Sequence, residues 1–217
     1  MPILDLDKFV ATPLARQPFD HIVVPQFIAA SALGQIIADF PHLSDPGLHP
    51  LSEASFGPAF ARFVADIQSP ALTAAFSAKF GIDLAPHPVM VTVRARCQAK
   101  DGRIHNDSES KIVSALIYLN DRWDQDGGRF RILNGPDDID DFAAEVPPEG
   151  GTLAAFRRSE NSFHGHRPFE GARRYVMFNW MVDRAALDHE LARHRLSSHV
   201  KRIGRKLRAA VGDRARA

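Results

Sequence analysis

The chain has 217 residues, 45% of them hydrophobic and 24% charged, with a net charge of +1; this is the make-up of a globular domain with a buried core, and the overall balance offers nothing to attract a nucleic-acid backbone. No apolar run approaches the roughly 18 residues of a transmembrane helix, which excludes stable membrane insertion, and the start from Met1 to Asp7 lacks the basic residues and apolar stretch of a signal peptide. The single cysteine, Cys97, excludes an internal disulfide and fits a reducing cytoplasm, the expected location.

The first stretch reads as helical with irregular connections. Leu33, Ile36, Ile37 and Phe40 recur at i, i+3, i+4 and i+7 behind Ser31, a residue suited to capping, and Pro41 ends the run. A second helix carries Phe60, Phe63, Val64 and Ile67. A third starts at Ser69-Pro70, a cap followed by proline at the first helical position, and brings Leu72, Phe76 and Phe80 to Gly81. Residues 43–58, rich in Pro, Gly and Ser, read as a loop.

From Pro88 the periodicity drops to two. Val89, Val91, Val93 and Ala95 alternate with Met90, Thr92, Arg94 and Arg96, and further strands are predicted over 111–119, 128–133, 151–157, 162–167 and 174–182. The acidic segment 137–141 reads as a solvated surface loop. Strands of this number, joined by Gly- and Pro-containing turns, predict two packed sheets. From Arg184 on the chain turns basic, with ten Lys/Arg against three Asp/Glu. There Leu196, Val200, Ile203, Leu207 and Val211 form the stripe of an amphipathic helix. That helix is expected to dock on the core or on a second subunit as a homodimer, with an anionic membrane surface as the rival partner.

The chemistry concentrates in Arg103-Ile104-His105-Asn106-Asp107 and Ser162-Phe163-His164-Gly165-His166. Residues two apart in extended chain point to one face, so His105 and Asp107 can offer an imidazole and a carboxylate side by side. One distant histidine completes a 2-His-1-carboxylate set, which holds one face of an octahedral ion and leaves the others open. Around this pair stand Tyr118-Leu119-Asn120, Gly127-Gly128-Arg129-Phe130-Arg131, Pro147-Pro148, Gly151 to Arg157, and Arg174, which follows His164 by ten residues.

This order, over residues 88–183, resembles the prolyl-hydroxylase-like branch of the 2-oxoglutarate/Fe(II) oxygenases, with Phe130 where that family usually has leucine. The resemblance implies a double-stranded β-helix (jelly roll) of α+β, mainly β class, backed by the N-terminal helices and followed by the C-terminal amphipathic helix. It divides a single oxygenase domain, 1–217, into a helical support region (1–87), the core (88–183) and a basic helical tail (184–217). It implies Fe(II) bound by His105, Asp107 and His164, with 2-oxoglutarate as cosubstrate and dioxygen. His164 is preferred to His166 because Pro168 stands four positions after it, as the family pattern has it. For the far carboxylate of the cosubstrate the resemblance points to an arginine and to Tyr118. Arg174 is chosen because a charge on an apolar strand demands a partner, and Arg173 is assigned to solvent by strand alternation. Trp180, of the same parity as Arg174, is expected in the cavity wall near the cosubstrate, with core packing as an equally good account of it. The family's tyrosine before the metal pair is missing between Pro88 and His105, so that part of the pocket must differ.

The function implied is hydroxylation of an unactivated C–H of a small-molecule or peptidyl substrate, with release of succinate and CO2. The rivals are a non-catalytic β-helix binding module and a cupin-like metal enzyme without cosubstrate. Intact Tyr118 and an intact arginine would have no purpose in either.

Overall fold

The computed structural model describes residues 2–43 and 45–194, so the predicted stripe from Leu196 to Val211 lies outside the described residues. Four helices come early: α1 (Leu6–Ala11), α2 (Ala30–Ala38), α3 (Pro58–Ile67) and α4 (Pro70–Phe80). Between and after them run β1 (His21–Val24), β2 (His49–Pro50), β3 (Val89–Cys97), β4 (Lys111–Tyr118), β5 (Phe130–Leu133), β6 (Phe142–Val146), β7 (Leu153–Arg157), β8 (His164–Gly165) and β9 (Gly171–Met181). A last helix, α5, begins at 184 and is described to 194.

The strands form a six-stranded sheet in the order β1-β7-β4-β9-β3-β2 and a three-stranded sheet, β6-β5-β8. All the strand pairings are antiparallel. The architecture is mainly β, a jelly-roll core with helices covering one side.

Local sequence explains the helix ends. The Ser69 hydroxyl accepts from Leu72 N at 3.2 Å, Pro70 takes the first helical position, and Gly81 closes α4 in the left-handed region at φ 66°. The N-cap of α3 is supplied from a distance: Asp39, just past α2, accepts from Ala59 N at 2.6 Å. Gly57 makes that approach possible, since a Cβ there would lie 2.3 Å from the Asp39 carboxyl carbon. Ser31 caps nothing; α2 begins earlier, at Ala30 behind Ala29.

Strand alternation divides the large sheet into two faces. One face presents Val91, Val93, Val113, Ala115, Ile117, Val176, Phe178 and Trp180 to Phe9, Phe60, Phe63, Leu72 and Phe76 of the helices. The other presents Leu116, Tyr118, Ala154, Phe156 and Tyr175 to Phe130, Ile132 and Val146 of the small sheet. A cavity opens within this second layer.

Several elements were not read from the sequence. The first 87 residues contribute β1, which pairs with β7 at the sheet edge, and β2 lies inside the expected loop. Strand β6 follows the acidic segment directly, and Asp140 in that segment is tied to Arg131 and Arg167. Strand β8 is only two residues long, and β9 starts three residues earlier than expected.

Phe76 locks helices to sheet, lying fully buried between Phe9 at 4.6 Å and Trp180 at 4.7 Å, ring centre to ring centre. Phe76→Ala should therefore cost about 3–5 kcal/mol in urea unfolding. A loss below about 1 kcal/mol would contradict this packing.

Candidate metal centre and its cavity

His105 and Asp107 lie on the connection between β3 and β4, and His164 opens β8. The structure brings the three together, with one ligand atom from each lying within 4.8 Å of the others. A reciprocal backbone bridge joins the two histidine segments: His105 N donates to His164 O at 3.1 Å, and His164 N to His105 O at 3.0 Å. Each ring is then turned by the carbonyl two residues before it. His105 Nδ1 lies 2.9 Å from Arg103 O, and His164 Nδ1 lies 2.9 Å from Ser162 O. A carbonyl only accepts, so each Nδ1 carries the proton and each Nε2 is left with a lone pair, the form a metal requires.

Asp107 is held equally firmly. Lys111 Nζ sits 2.8 Å from its Oδ1, and the Ser114 hydroxyl donates to its Oδ2. Ser114 in turn accepts from Asn179 Nδ2 at 2.8 Å. Burial alone would raise the Asp107 pKa. The Lys111 charge and the hydrogen bonds from Lys111 and Ser114 outweigh it and hold the carboxyl well below its usual range. Burial pushes His164 down to about 4, so its imidazole is neutral at physiological pH.

These groups line a cavity of about 120 Å³ that also receives Leu116, Phe130, Phe156, Met177 and, further along, Arg173 and Tyr175. That is well above the roughly 10–15 Å³ needed to hold one water, so a small ligand can enter.

The arginine assignment made from the sequence is corrected here. Arg173, not Arg174, faces the cavity, and it is 2% exposed. Its Nε donates to Gly128 O at 2.8 Å and its Nη2 to the Tyr118 hydroxyl at 3.3 Å. Its guanidinium carbon lies 5.3 Å and 5.1 Å from the ring centres of Tyr118 and Tyr175. Among the described residues no carboxylate lies within ion-pairing distance of it. Arg174 instead lines an open polar groove with Asn120 and Asp121. Trp180 shares that opposite parity and is buried against Phe76 and Phe178, away from the cavity. Tyr118 does meet the cavity arginine, and burial raises its phenol pKa, so it keeps its proton.

Sequence reasoning left other wall residues without a role. Arg94 and Arg96 were placed on one face, but the β3–β9 register shifts between them. Arg94 turns inward, paired with Asp101 at 2.6 Å, while Arg96 is exposed. His166 is also in the wall, with Nδ1 2.8 Å from Arg167 O, but it is not part of the three-residue cluster. Its ring packs so closely on Gly102 that a Cβ there would meet it at 2.2 Å.

The chain is similar to known proteins in part of its sequence and in its fold. Residues 94–182 match the model of the 2OG-Fe(II) oxygenase superfamily. Its enzymes take their name from 2-oxoglutarate and Fe(II), the cofactors of the class. A Pseudomonas putida prolyl-4-hydroxylase superposes with TM-score 0.52 at 20% identity, covering 82% of this chain and 91% of that one. A collagen prolyl hydroxylase of Paramecium bursaria Chlorella virus-1 gives 0.51 at 15% identity, covering 74% and 93%. An oxidoreductase of the 2OG-Fe(II) oxygenase family from Burkholderia pseudomallei gives 0.54 at 12% identity, covering 82% and 91%. At these identities the likeness is one of fold. No curated protein matches the chain by sequence.

The cavity also dictates a pH dependence. Burial first, then Arg173, lowers the His166 pKa from its ordinary 6.5 to about 4. Over that interval the unfolded chain binds a proton that the folded one does not, so stability must fall as pH drops from 6.5 towards 4. The melting temperature of the metal-free protein should show this decline, and His166→Gln should make it shallower, leaving the share that the equally depressed His164 contributes. An equally steep decline in the variant would refute the buried, neutral His166.

Proposed function

We propose that the chain is an Fe(II)- and 2-oxoglutarate-dependent dioxygenase that hydroxylates an unactivated C–H bond of a small-molecule or peptidyl substrate, releasing succinate and CO2. The observation that carries this reading is Arg173, a buried cation with no counter-charge among the described residues, across one cavity from a 2-His-1-carboxylate cluster. A buried charge is stable only when paired, and the cavity is where a partner can enter. The His105 and His164 Nε2 atoms and an Asp107 oxygen fit a dication on one face. The planar fork of Arg173 fits a carboxylate on the far side.

Bound together, iron and the 2-oxo acid supply the activation of dioxygen. The protein's own side chains do the rest. His105, Asp107 and His164 fix the ion, and Lys111 and Ser114 keep Asp107 ionised and oriented. Arg173 takes the distal carboxylate, with the Tyr118 hydroxyl beside it as a second donor. Leu116, Phe130, Phe156 and Met177 exclude water from the space between. Asp107 keeps the carboxylate that a halogenating site would give up to halide, which favours hydroxylation.

Two measurements test the reading. His105→Ala, Asp107→Ala and His164→Ala should each abolish Fe(II)-dependent succinate formation from 2-oxoglutarate while the fold persists. Retained iron in His164→Ala with loss in His166→Ala would reassign the ligand. Anaerobic titration of the Fe(II) protein with 2-oxoglutarate, followed by its metal-to-ligand absorption band, tests the arginine. Truncating one partner of a shielded charge pair costs on the order of 2–5 kcal/mol. At about 1.4 kcal/mol per decade, Arg173→Ala should weaken binding by roughly 30-fold or more. Tyr118→Phe should cost about 0.5–1.5 kcal/mol, and Arg174→Ala should change little. Equal affinities for wild type and Arg173→Ala would remove the cosubstrate from the cavity and leave a binding module or a cosubstrate-free metal enzyme.

A further inference from the structure

Lys111 and Glu190 lie outside the ligand set, yet both reach Asp107 or its loop. Lys111 opens β4 with its ammonium on Asp107 Oδ1 at 2.8 Å, and its side chain is 11% exposed. Glu190 is on α5, is 4% exposed, and faces the turn between Asp107 and β4. Its Oε1 accepts from the Ser108 and Ser110 hydroxyls, each at 3.5 Å. Its Oε2 accepts from Arg193 at 2.5 Å and lies 4.0 Å from His194 Nε2. The charge of Lys111 also acts on Glu190, beyond direct ion-pair distance. Lys111 thus holds one buried carboxylate, that of Asp107, while a second, Glu190 on the C-terminal helix, lies against the Ser108 and Ser110 hydroxyls just before it in the chain.

The two Asp107 oxygens are not equivalent. Oδ2 is fixed by Ser114, which is fixed by Asn179, and both of those side chains are buried. Among the described residues, Oδ1 is held by Lys111 alone. A dication bound by the cluster therefore takes Oδ1 at least cost to the network, and doing so removes the acceptor of Lys111. It also leaves an ammonium next to a doubly charged ion, where like charges repel strongly. Lysine, with a compact charge on a flexible four-carbon stem, can swing away; the broad fork of arginine could not do so as easily.

We propose that Lys111 and the metal ion compete for Asp107 Oδ1, and that Glu190 is the counter-charge that receives Lys111 when the metal wins. Both are positioning residues that act through Asp107. This rests on the assignment of His105, Asp107 and His164 as ligands. It also makes α5 part of the metal site, since the helix supplies the carboxylate that draws the competing cation off. The two residues then have opposite effects: Lys111 weakens metal binding and Glu190 strengthens it, but only while Lys111 is present.

The test is a double-mutant cycle on Mn(II) affinity, measured by calorimetry on the full-length protein without 2-oxoglutarate. Lys111→Met should tighten Mn(II) binding and Glu190→Gln should weaken it, each by about threefold to tenfold, the range of a partly shielded charge contact. In the Lys111→Met background, Glu190→Gln should have no further effect. A Glu190→Gln loss of equal size in both backgrounds would overturn the proposal, because the helix would then merely support the loop. Unchanged or weaker binding by Lys111→Met would overturn it alone, even if Glu190→Gln melts early. Wild-type protein that binds no Mn(II) would remove the ligand assignment itself, and this proposal with it.

Discussion

The two-residue alternation of β4 and β9, pinned by the helices on one side, is the constraint on which the site depends. Phe178 and Trp180 cannot leave the helix layer without exposing the largest side chains of the core, nor can Val113 and Ile117. Their neighbours are thereby forced inward: Ser114, Leu116 and Tyr118 from β4, and Arg173, Tyr175, Met177 and Asn179 from β9. Cross-strand pairing then sets the depth of each. Ser114 lies opposite Asn179 and Tyr118 opposite Tyr175. The carboxylate-buttressing pair is thus at one end of the lumen and the arginine–tyrosine cluster at the other. A hydrophobic interface remote from the chemistry decides what the chemistry can reach.

The same alternation shows why part of the site was legible in the sequence and part was misread. The histidine and aspartate segments could be found because their chemistry is carried by residue type and short spacing. The arginine could not be chosen that way, since Arg173 and Arg174 follow His164 by nine and ten residues, and both distances suit the pattern. The deciding signal was present in Val176, Phe178 and Trp180: large apolar residues of one parity mark the helix-facing side, and Arg174 shares that parity. Trp180 was misplaced by the same inversion. A tryptophan among phenylalanines is evidence for a core, and the arginine opposite it is evidence for a lumen.

The helices follow a similar division. The caps of α4 lie within its own sequence, and its limits could be read from them. The cap of α3 comes from Asp39, nineteen positions before the helix begins, and nothing local announces it. Strands β1 and β6 were missed for the same reason. Each is an edge strand that exists through its pairing with β7 or β5, and the exposed residues of β6, including Phe142, give no clean alternation. Signals carried by neighbours in space are silent in a single chain read in order.

The electrostatics of the cavity follow from its arginines. Arg94 and Arg173 face the same lumen as the histidines, and each arginine disfavours a proton on His166. His164 lies nearer to Asp107, which favours its protonation, but burial and the neighbouring Lys111 work against it. An imidazole ligates a cation only when unprotonated, and burial first keeps His164 in that form. The positive charge of the lumen would repel a metal if Asp107 did not remain ionised. On the proposed ligand assignment Lys111 would serve both needs in conflict, since it keeps Asp107 deprotonated while occupying the oxygen that an ion would take. The cavity therefore cannot be optimised for the empty and the filled site at once. A second buried carboxylate beside Lys111, on a helix that otherwise has no part in the centre, is what such a conflict calls for.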